Sequence, residues 1–248
     1  MSGSELADFA RQFSGRNLCN YVGGASPRQR IVDGVYTSTE YPQHIDLSLH
    51  NEMSYTYRWP THLFFTCVEA PAQGGETPIA DSRNLLRRIP DEIVSEFSRK
   101  QVKYLRRLPS FVNDGYSWQE AFETDDRRVL EEYCEQGNVS FEWQTDGTLL
   151  LTETRPATTS HPVTGEEVWF NQADSFYSAG DPKSRLDAWF GDGSEISDGA
   201  VVQIREAMKS VTILIEWQLG DVLVLDNLLT AHGRRPFSGP RKILLAMT

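Results

Sequence analysis

The sequence predicts a mostly β fold with helical inserts, built on a double-stranded β-helix (jelly-roll) core. Three observations lead there. Short β-rich runs stand at both ends of the chain, amphipathic helical patterns are gathered between them, and no repeat, low-complexity tract or linker interrupts the 248 residues. A single domain over 1–248 is expected, with a helical insert at about 82–140.

Taken in order, Leu6, Phe9, Ala10 and Phe13 have helical spacing, with Ser4 as cap and Gly15 past the end. Val32 to Thr39 reads as a short extended run before Pro42. Leu47-Ser-Leu-His50 alternates with the period of a strand. His62 to Val68 reads as a buried strand between Pro60 and Pro71. Gly74-Gly75 marks a turn into a short strand ending at Asp81. Asp81 or Ser82 then caps a helical region, with Pro90 at a first helical position and Ile93, Val94 and Phe97 on one face.

Ser117-Trp-Gln-Glu120 is a capping box. Thr124 or Asp125 opens a further helix with Val129, Leu130, Tyr133 and Cys134 inward and Gly137 at its stop. Phe141 to Thr152 reads as a hairpin around Asp146-Gly147. Glu167 to Gln172 reads as a strand and Ser197 to Lys209 as an amphipathic helix. Three β-rich runs close the chain: Val211 to Trp217, Asp221 to Asp226 and Arg241 to Met247, the last two joined by a loop carrying His232.

The formal net charge is -11, which argues against a nucleic-acid partner, since that interaction feeds on a basic face. It leaves anionic ligands open, because a few arginines set the field inside a pocket. No apolar run is long enough to span a bilayer, and the first residues lack the pattern of a signal peptide. Cys19, Cys67 and Cys134 are odd in number and far apart, which suggests free thiols in a reducing, cytoplasmic compartment.

His50-x-Glu52 is the motif that carries chemistry. On a strand, residues i and i+2 share a face, so an imidazole and a carboxylate would project together. Those are two of the three ligands of a facial triad, which leaves positions open on a non-haem Fe(II). A triplet of this kind is common by accident, and its alternative is a solvated strand. His232 is the third ligand to consider, its alternative being a loop histidine bonded near Asp226.

His50-Asn-Glu52, Gly74-Gly-Glu-Thr77-Pro-Ile-Ala-Asp81, His161-Pro-Val-Thr-Gly165, Trp169-Phe-Asn-Gln172 and Asp226-Asn-x-x-x-x-His232-Gly-Arg-x-Pro-Phe237 form an ordered series. The series resembles the TauD/TfdA family of Fe(II)/2-oxoglutarate-dependent dioxygenases. With Glu as the carboxylate ligand, it is similar to the clavaminate-synthase-like branch. Thr37-Ser-Thr-Glu-Tyr-Pro42 and Ser117-Trp-Gln119 look like the SyrP-type amino-acid hydroxylases of that branch. The resemblance covers roughly residues 20–248. Family members carry several dozen residues ahead of the segment that begins here, so the N-terminal part is expected to be shortened.

The resemblance implies Fe(II) on His50, Glu52 and His232. It also implies 2-oxoglutarate held through its distal carboxylate by Arg241 and Thr77, with O2 as co-substrate. Charge supports the arginine: Fe(II), Glu52 and 2-oxoglutarate leave one buried negative charge, which one guanidinium neutralises while gripping the carboxylate bidentately. Arg234 holds the loop or meets a carboxylate. Asn171 and Gln172 resemble part of the active-site wall, with strand-end capping as the alternative. Asn227 is expected to order the turn before His232. His44, His62 and His161 are read as structural.

The implied reaction is hydroxylation of an unactivated C–H of an amino acid, free or tethered to a peptidyl carrier protein, in natural-product (antibiotic) biosynthesis, with release of succinate and CO2. Desaturation or ring closure with the same cofactors is the nearest alternative, and a non-catalytic, truncated jelly-roll homologue is the alternative of another class. Halogenating relatives lack the carboxylate ligand, so Glu52 argues against halogenation.

Overall fold

A computed structural model describes residues 1–110, 115–181 and 183–248; residues 111–114, inside the expected insert, lie outside them. Helix α1 (Gly3–Ser14) opens the chain. Its cap is Ser2, not Ser4: the Ser2 hydroxyl accepts from the Glu5 N–H, and the Glu5 carboxylate accepts from the Ser2 N–H. The next extended run folds as a hairpin, β1 (Arg30–Val32) and β2 (Val35–Thr37). Strands β3 (Leu47–His50), β4 (His62–Glu69), β5 (Gln73–Gly74) and β6 (Thr77–Asp81) follow.

Asp81 caps α2 (Ser82–Arg88), its carboxylate accepting from the N–H groups of Arg83 and Asn84. Pro90 sits one place earlier than expected, at the N-cap of α3 (Asp91–Lys100). Then come β7 (Val102–Leu108), α4 (Trp118–Phe122) with the Ser117–Glu120 capping box, and α5 (Arg127–Gly137). Asp126, not Thr124 or Asp125, caps α5. That start leaves Val129 facing solvent at 52% exposure while Leu130 and Cys134 are buried.

The Asp146-Gly147 hairpin joins β8 (Ser140–Trp143) to β9 (Leu149–Arg155). The remaining elements are β10 (Thr158–Ser160), β11 (Glu167–Trp169), α6 (Ala173–Phe176), β12 (Leu186–Phe190), α7 (Asp198–Val211), β13 (Ile213–Ile215), β14 (Val222–Asp226), β15 (Thr230–Arg234), β16 (Phe237–Ser238) and β17 (Lys242–Met247).

Two sheets make the jelly roll, in strand orders β1-β2-β17-β4-β14 and β13-β6-β15-β3. The first is apolar on both faces, so its central strands read as near-continuous hydrophobic runs. Leu63, Phe65 and Cys67 of β4 join Ile243, Leu245 and Met247 of β17 in one cluster. The alternate residues Phe64, Leu244 and Ala246 pack under Leu6, Ala7 and Ala10 of α1. The second sheet is backed by α2, α3 and α7 in the largest cluster, which takes in Leu85, Phe97, Val201, Ile204 and Met208.

The insert is not wholly helical. Strand β7 lies inside it and joins a third antiparallel sheet, ordered β12-β7-β9-β8, whose other strands come from residues 140–190. Strand β7 alternates inward at Val102, Tyr104, Arg106 and Leu108, and the charge at Arg106 hides the apolar period. Among the described residues, no helix is long and apolar enough to cross a membrane.

Candidate active site

Three side chains from two distant parts of the chain meet between the two jelly-roll sheets. His232 on β15 pairs in register with His50 on β3, and their rings lie 4.5 Å apart between centroids. The loop expected at His232 is therefore a strand, the central one between β6 and β3. It can begin early because Asp226 tightens the turn, its carboxylate accepting from the Leu228 and Leu229 N–H groups. Gly233 lets the strands close at this point: a Cβ there would stand 2.4 Å from the Leu47 carbonyl oxygen.

Glu52 is not on the strand as expected. Strand β3 stops at His50, and Glu52 sits in a turn closed by Ser54 N–H to the Asn51 carbonyl and Thr56 N–H to the Met53 carbonyl. The Asn51 side-chain amide donates to the Asn227 carbonyl at 2.7 Å and ties the turn down. The turn still brings the carboxylate to the histidines. One ligand atom each from His50, Glu52 and His232 lies within 4.8 Å of the others.

The donor set suits a divalent metal. The His50 Nδ1–H donates to the Ser48 carbonyl at 2.8 Å, which leaves Nε2 with its lone pair free. Burial, then the neighbouring His232, pushes the His50 pKa down to about 4, so the ring is neutral. Burial opposes charge on Glu52, yet Arg28 and, after it, the two histidines hold its carboxyl well below the usual range. His232 Nε2 lies 3.6 Å from Glu52 Oε2, and its Nδ1 is buried with no hydrogen-bond partner among the described residues. Two imidazoles and one carboxylate, buried together with their ligand atoms converging, form a donor set that a cation would satisfy.

The cluster opens into a pocket of about 270 Å³ whose wall includes Thr77, Gln172, Arg234 and Arg241. The model for the taurine catabolism dioxygenase TauD, TfdA family matches residues 1–248. This chain belongs to the TauD/TfdA family. It is 37% identical over 241 residues to the dapdiamide synthesis protein DdaC of Enterobacter agglomerans, covering 92% of this chain and 73% of that protein. It is 32% identical over 257 residues to a clavaminate synthase-like protein of Arabidopsis thaliana, covering 99% of this chain and 78% of the other. Among solved structures, an asparagine oxygenase in complex with Fe(II), 2S,3S-3-hydroxyasparagine and succinate superimposes with a TM-score of 0.55 at 12% identity, covering 99% of this chain and 78% of that one. That likeness supports the fold.

TauD/TfdA proteins are dioxygenases that use Fe(II), 2-oxoglutarate and O2, and the chain carries donors for the cosubstrate as well as for the metal. The Arg241 Nε–H donates to the Gly75 carbonyl at 3.1 Å, which aims the fork. No protein group among the described residues accepts from its terminal nitrogens. Burial, and after it the nearby Arg234, pushes its pKa down to about 10, as for a guanidinium lacking a counter-ion. Thr77 Oγ accepts from the Trp217 Nε1–H at 2.9 Å, which leaves the hydroxyl hydrogen for another acceptor.

The other expected residues divide. The Arg234 guanidinium donates to the carbonyls of Tyr41, Pro42 and Ile45 and so holds that loop against the pocket. Gln172 lines the pocket while its amide donates to the Asn51 carbonyl at 2.9 Å. Asn171 is not on the wall: its amide donates to the Ala157 carbonyl and its oxygen accepts from the Ala173 N–H, as strand-end capping requires. Asn227 acts on Glu52 itself, through the main chain. His161 is structural, its Nε2–H donating to Asp226 Oδ2 at 3.1 Å.

Sequence reasoning missed Arg28 and Trp217. Arg28 donates to Glu52 Oε2 at 2.8 Å. It lies in a polar stretch, Ala25-Ser-Pro-Arg28-Gln-Arg30, that reads as an ordinary loop, and nothing in its spacing points to Glu52. Trp217 follows a β-rich run and looks like core.

Proposed function

We propose that the chain is an Fe(II)- and 2-oxoglutarate-dependent hydroxylase of an amino-acid-like small molecule in natural-product biosynthesis. One observation carries the reading: the wall of a single pocket holds both the His50, Glu52 and His232 donors and the Arg241 guanidinium. The first three would hold Fe(II), and Arg241 with Thr77 would hold the distal carboxylate of 2-oxoglutarate, as a fork and a hydroxyl do for a carboxylate. When bound, the metal and cosubstrate supply the oxidising power drawn from O2, with release of succinate and CO2.

The residues of the chain orient and enclose. The Ser48 carbonyl fixes the His50 tautomer, Asn227 fixes the Glu52 main chain, and Gly75 with Trp217 set the two groups for the distal carboxylate. Phe65 packs on the His232 ring with centroids 5.3 Å apart and keeps that side of the site dry. The amino-acid substrate draws support from the similarity to a dapdiamide synthesis protein. The family match over 1–248 supports reading the chain as one catalytic unit. Free Cys19, Cys67 and Cys134 fit a reducing, cytoplasmic setting.

The test is the anaerobic complex with Fe(II) and 2-oxoglutarate, followed by its weak visible charge-transfer band, in wild type, His232→Ala and Arg241→Ala. The band is expected in wild type, absent in His232→Ala and weakened in Arg241→Ala. A folded, iron-loaded wild type without the band would sink the assignment. Succinate release over an amino-acid panel then identifies the substrate, and the product mass separates hydroxylation from desaturation or ring closure.

A further inference from the structure

Arg28 has more hydrogen-bonding capacity than the site already described uses. Its side chain is 5% exposed, lies on the pocket wall and is stacked on the Tyr21 ring, with 4.2 Å from guanidinium carbon to ring centroid. One terminal nitrogen donates to Glu52 Oε2, the oxygen that also faces His232 Nε2. Nε and the other terminal nitrogen, Nη1, are buried with no acceptor among the described residues. A buried guanidinium with two unmade hydrogen bonds is costly unless an acceptor arrives.

Charge gives the nature of that acceptor. The pocket wall carries three guanidinium groups, of Arg28, Arg234 and Arg241, against two carboxylates, of Asp46 and Glu52. A divalent metal and a doubly charged 2-oxoglutarate cancel one another. The count made from sequence closed at zero with Arg241 alone, but Arg28 reopens it: the loaded pocket keeps one positive charge for the substrate to meet. Once Glu52 serves a metal, Arg28 shares with a second cation the one hydrogen-bond acceptor it has among the described residues. An anion then relieves both the repulsion and the unmade bonds.

We propose that Arg28 is the anchor for a free carboxylate of the substrate. The inference rests on the dioxygenase reading and narrows its substrate class. A carboxylate gripped by Arg28 places the carbons next to it beside the metal position, since the guanidinium already touches a metal-facing carboxylate. An aminoacyl thioester on a carrier protein has lost its α-carboxylate and, unless its side chain is acidic, brings only a cationic ammonium into a pocket that is already positive. The substrate class is therefore a free or N-acylated amino acid rather than a carrier-bound one.

The experiment uses the full chain loaded with Mn(II) and N-oxalylglycine, an inert pair, and reads binding by calorimetry. The probes are free amino acids, their N-acetyl forms, the matching primary amides and the matching aminoacyl-pantetheine thioesters. The acids are expected to bind wild type about 10- to 100-fold more tightly than their amides and thioesters, the size of one lost charge-assisted hydrogen bond. Arg28→Gln is expected to erase that difference, and Arg28→Lys to keep part of it. In Arg28→Gln the Mn(II) affinity should be unchanged or higher, because a competitor for Glu52 has gone.

Equal affinity of acid and amide for wild type overturns the proposal. A weaker grip on Mn(II) in Arg28→Gln also overturns it, because Arg28 would then serve only to position Glu52. So does a weaker grip on N-oxalylglycine, which would make Arg28 a cosubstrate residue. A wild type that binds neither Mn(II) nor N-oxalylglycine instead sinks the dioxygenase reading on which the inference rests.

Discussion

Asn227 holds Glu52 by its main chain. The Asn227 side-chain oxygen accepts from the Glu52 N–H at 2.7 Å, and its amide donates to the Glu52 carbonyl at 3.0 Å and to the Pro60 carbonyl at 2.8 Å. A turn is a loose support for a ligand, and this clamp, wholly buried, makes it a firm one. Replacing Asn227 by Ala leaves three buried backbone groups unpaired. We expect Mn(II) affinity to fall about 10- to 100-fold and stability to fall by about 2–4 kcal/mol. Calorimetric Mn(II) titration and chemical unfolding check the two effects. An unchanged metal affinity would show that the turn holds Glu52 without the clamp.

Trp217 acts on Thr77 in the same indirect way. Its indole N–H occupies one lone pair of the hydroxyl and so directs the hydrogen elsewhere. Trp217→Phe keeps most of the buried ring and removes that constraint. The expected result is a rise of about 3- to 10-fold in KM for 2-oxoglutarate, the size of one neutral hydrogen bond, with KM for the organic substrate unchanged. Steady-state succinate assays separate the two. A matching rise in both KM values would mean that the ring shapes the pocket rather than Thr77.

Asp174 gives the pH signature. Its side chain is buried, Oδ2 has no hydrogen-bond partner among the described residues, and Arg205 Nε is 3.9 Å away. Burial pushes its pKa up to about 6. The folded state therefore binds a proton more readily than the unfolded chain, and this group's contribution to stability falls as pH rises from about 4 to 6. Above that range the ionised carboxylate costs the fold up to about 2–3 kcal/mol. Asp174→Asn should raise the unfolding midpoint by roughly 3–8 °C at pH 7.5 and by much less at pH 4.5. Thermal scans at the two pH values decide it, and an equal shift at both would refute the protonation argument.

The jelly roll was readable because its central strands are buried on both faces and its helices carry caps written in adjacent residues. Ser117 and Glu120, or Asp146 and Gly147, act over three or four positions, and local chemistry settles them. His50, Glu52 and His232 were legible as a set only through the ordered series of motifs, since the strand argument for Glu52 did not hold. The hidden parts have long reach. Arg28 meets Glu52 across 24 residues and Trp217 meets Thr77 across 140, and no local period encodes either contact. Strand β7 was hidden for another reason: an arginine occupies one of its inward positions.

That arginine supports the loop leading to Arg28. Arg106 is 1% exposed; it donates to Glu153 Oε1 at 2.9 Å and to the Gly23 carbonyl at 2.6 Å, and its guanidinium lies over the Tyr55 ring. Glu153 is shared with Arg155, whose Nη2 donates to Oε2 at 2.9 Å. Removing one partner of a buried pair strands the other, at a cost of about 3–5 kcal/mol, whereas removing both for apolar groups of similar volume is often neutral. Arg106→Met should therefore lower the unfolding midpoint by roughly 10 °C. Adding Glu153→Leu should not recover all of it, because Arg155 then loses the carboxylate it pairs with and the Gly23 carbonyl keeps only the long bond from the Tyr55 hydroxyl. The double variant is expected between the single variant and wild type. A double variant less stable than Arg106→Met would show that Glu153 serves the fold chiefly through Arg155.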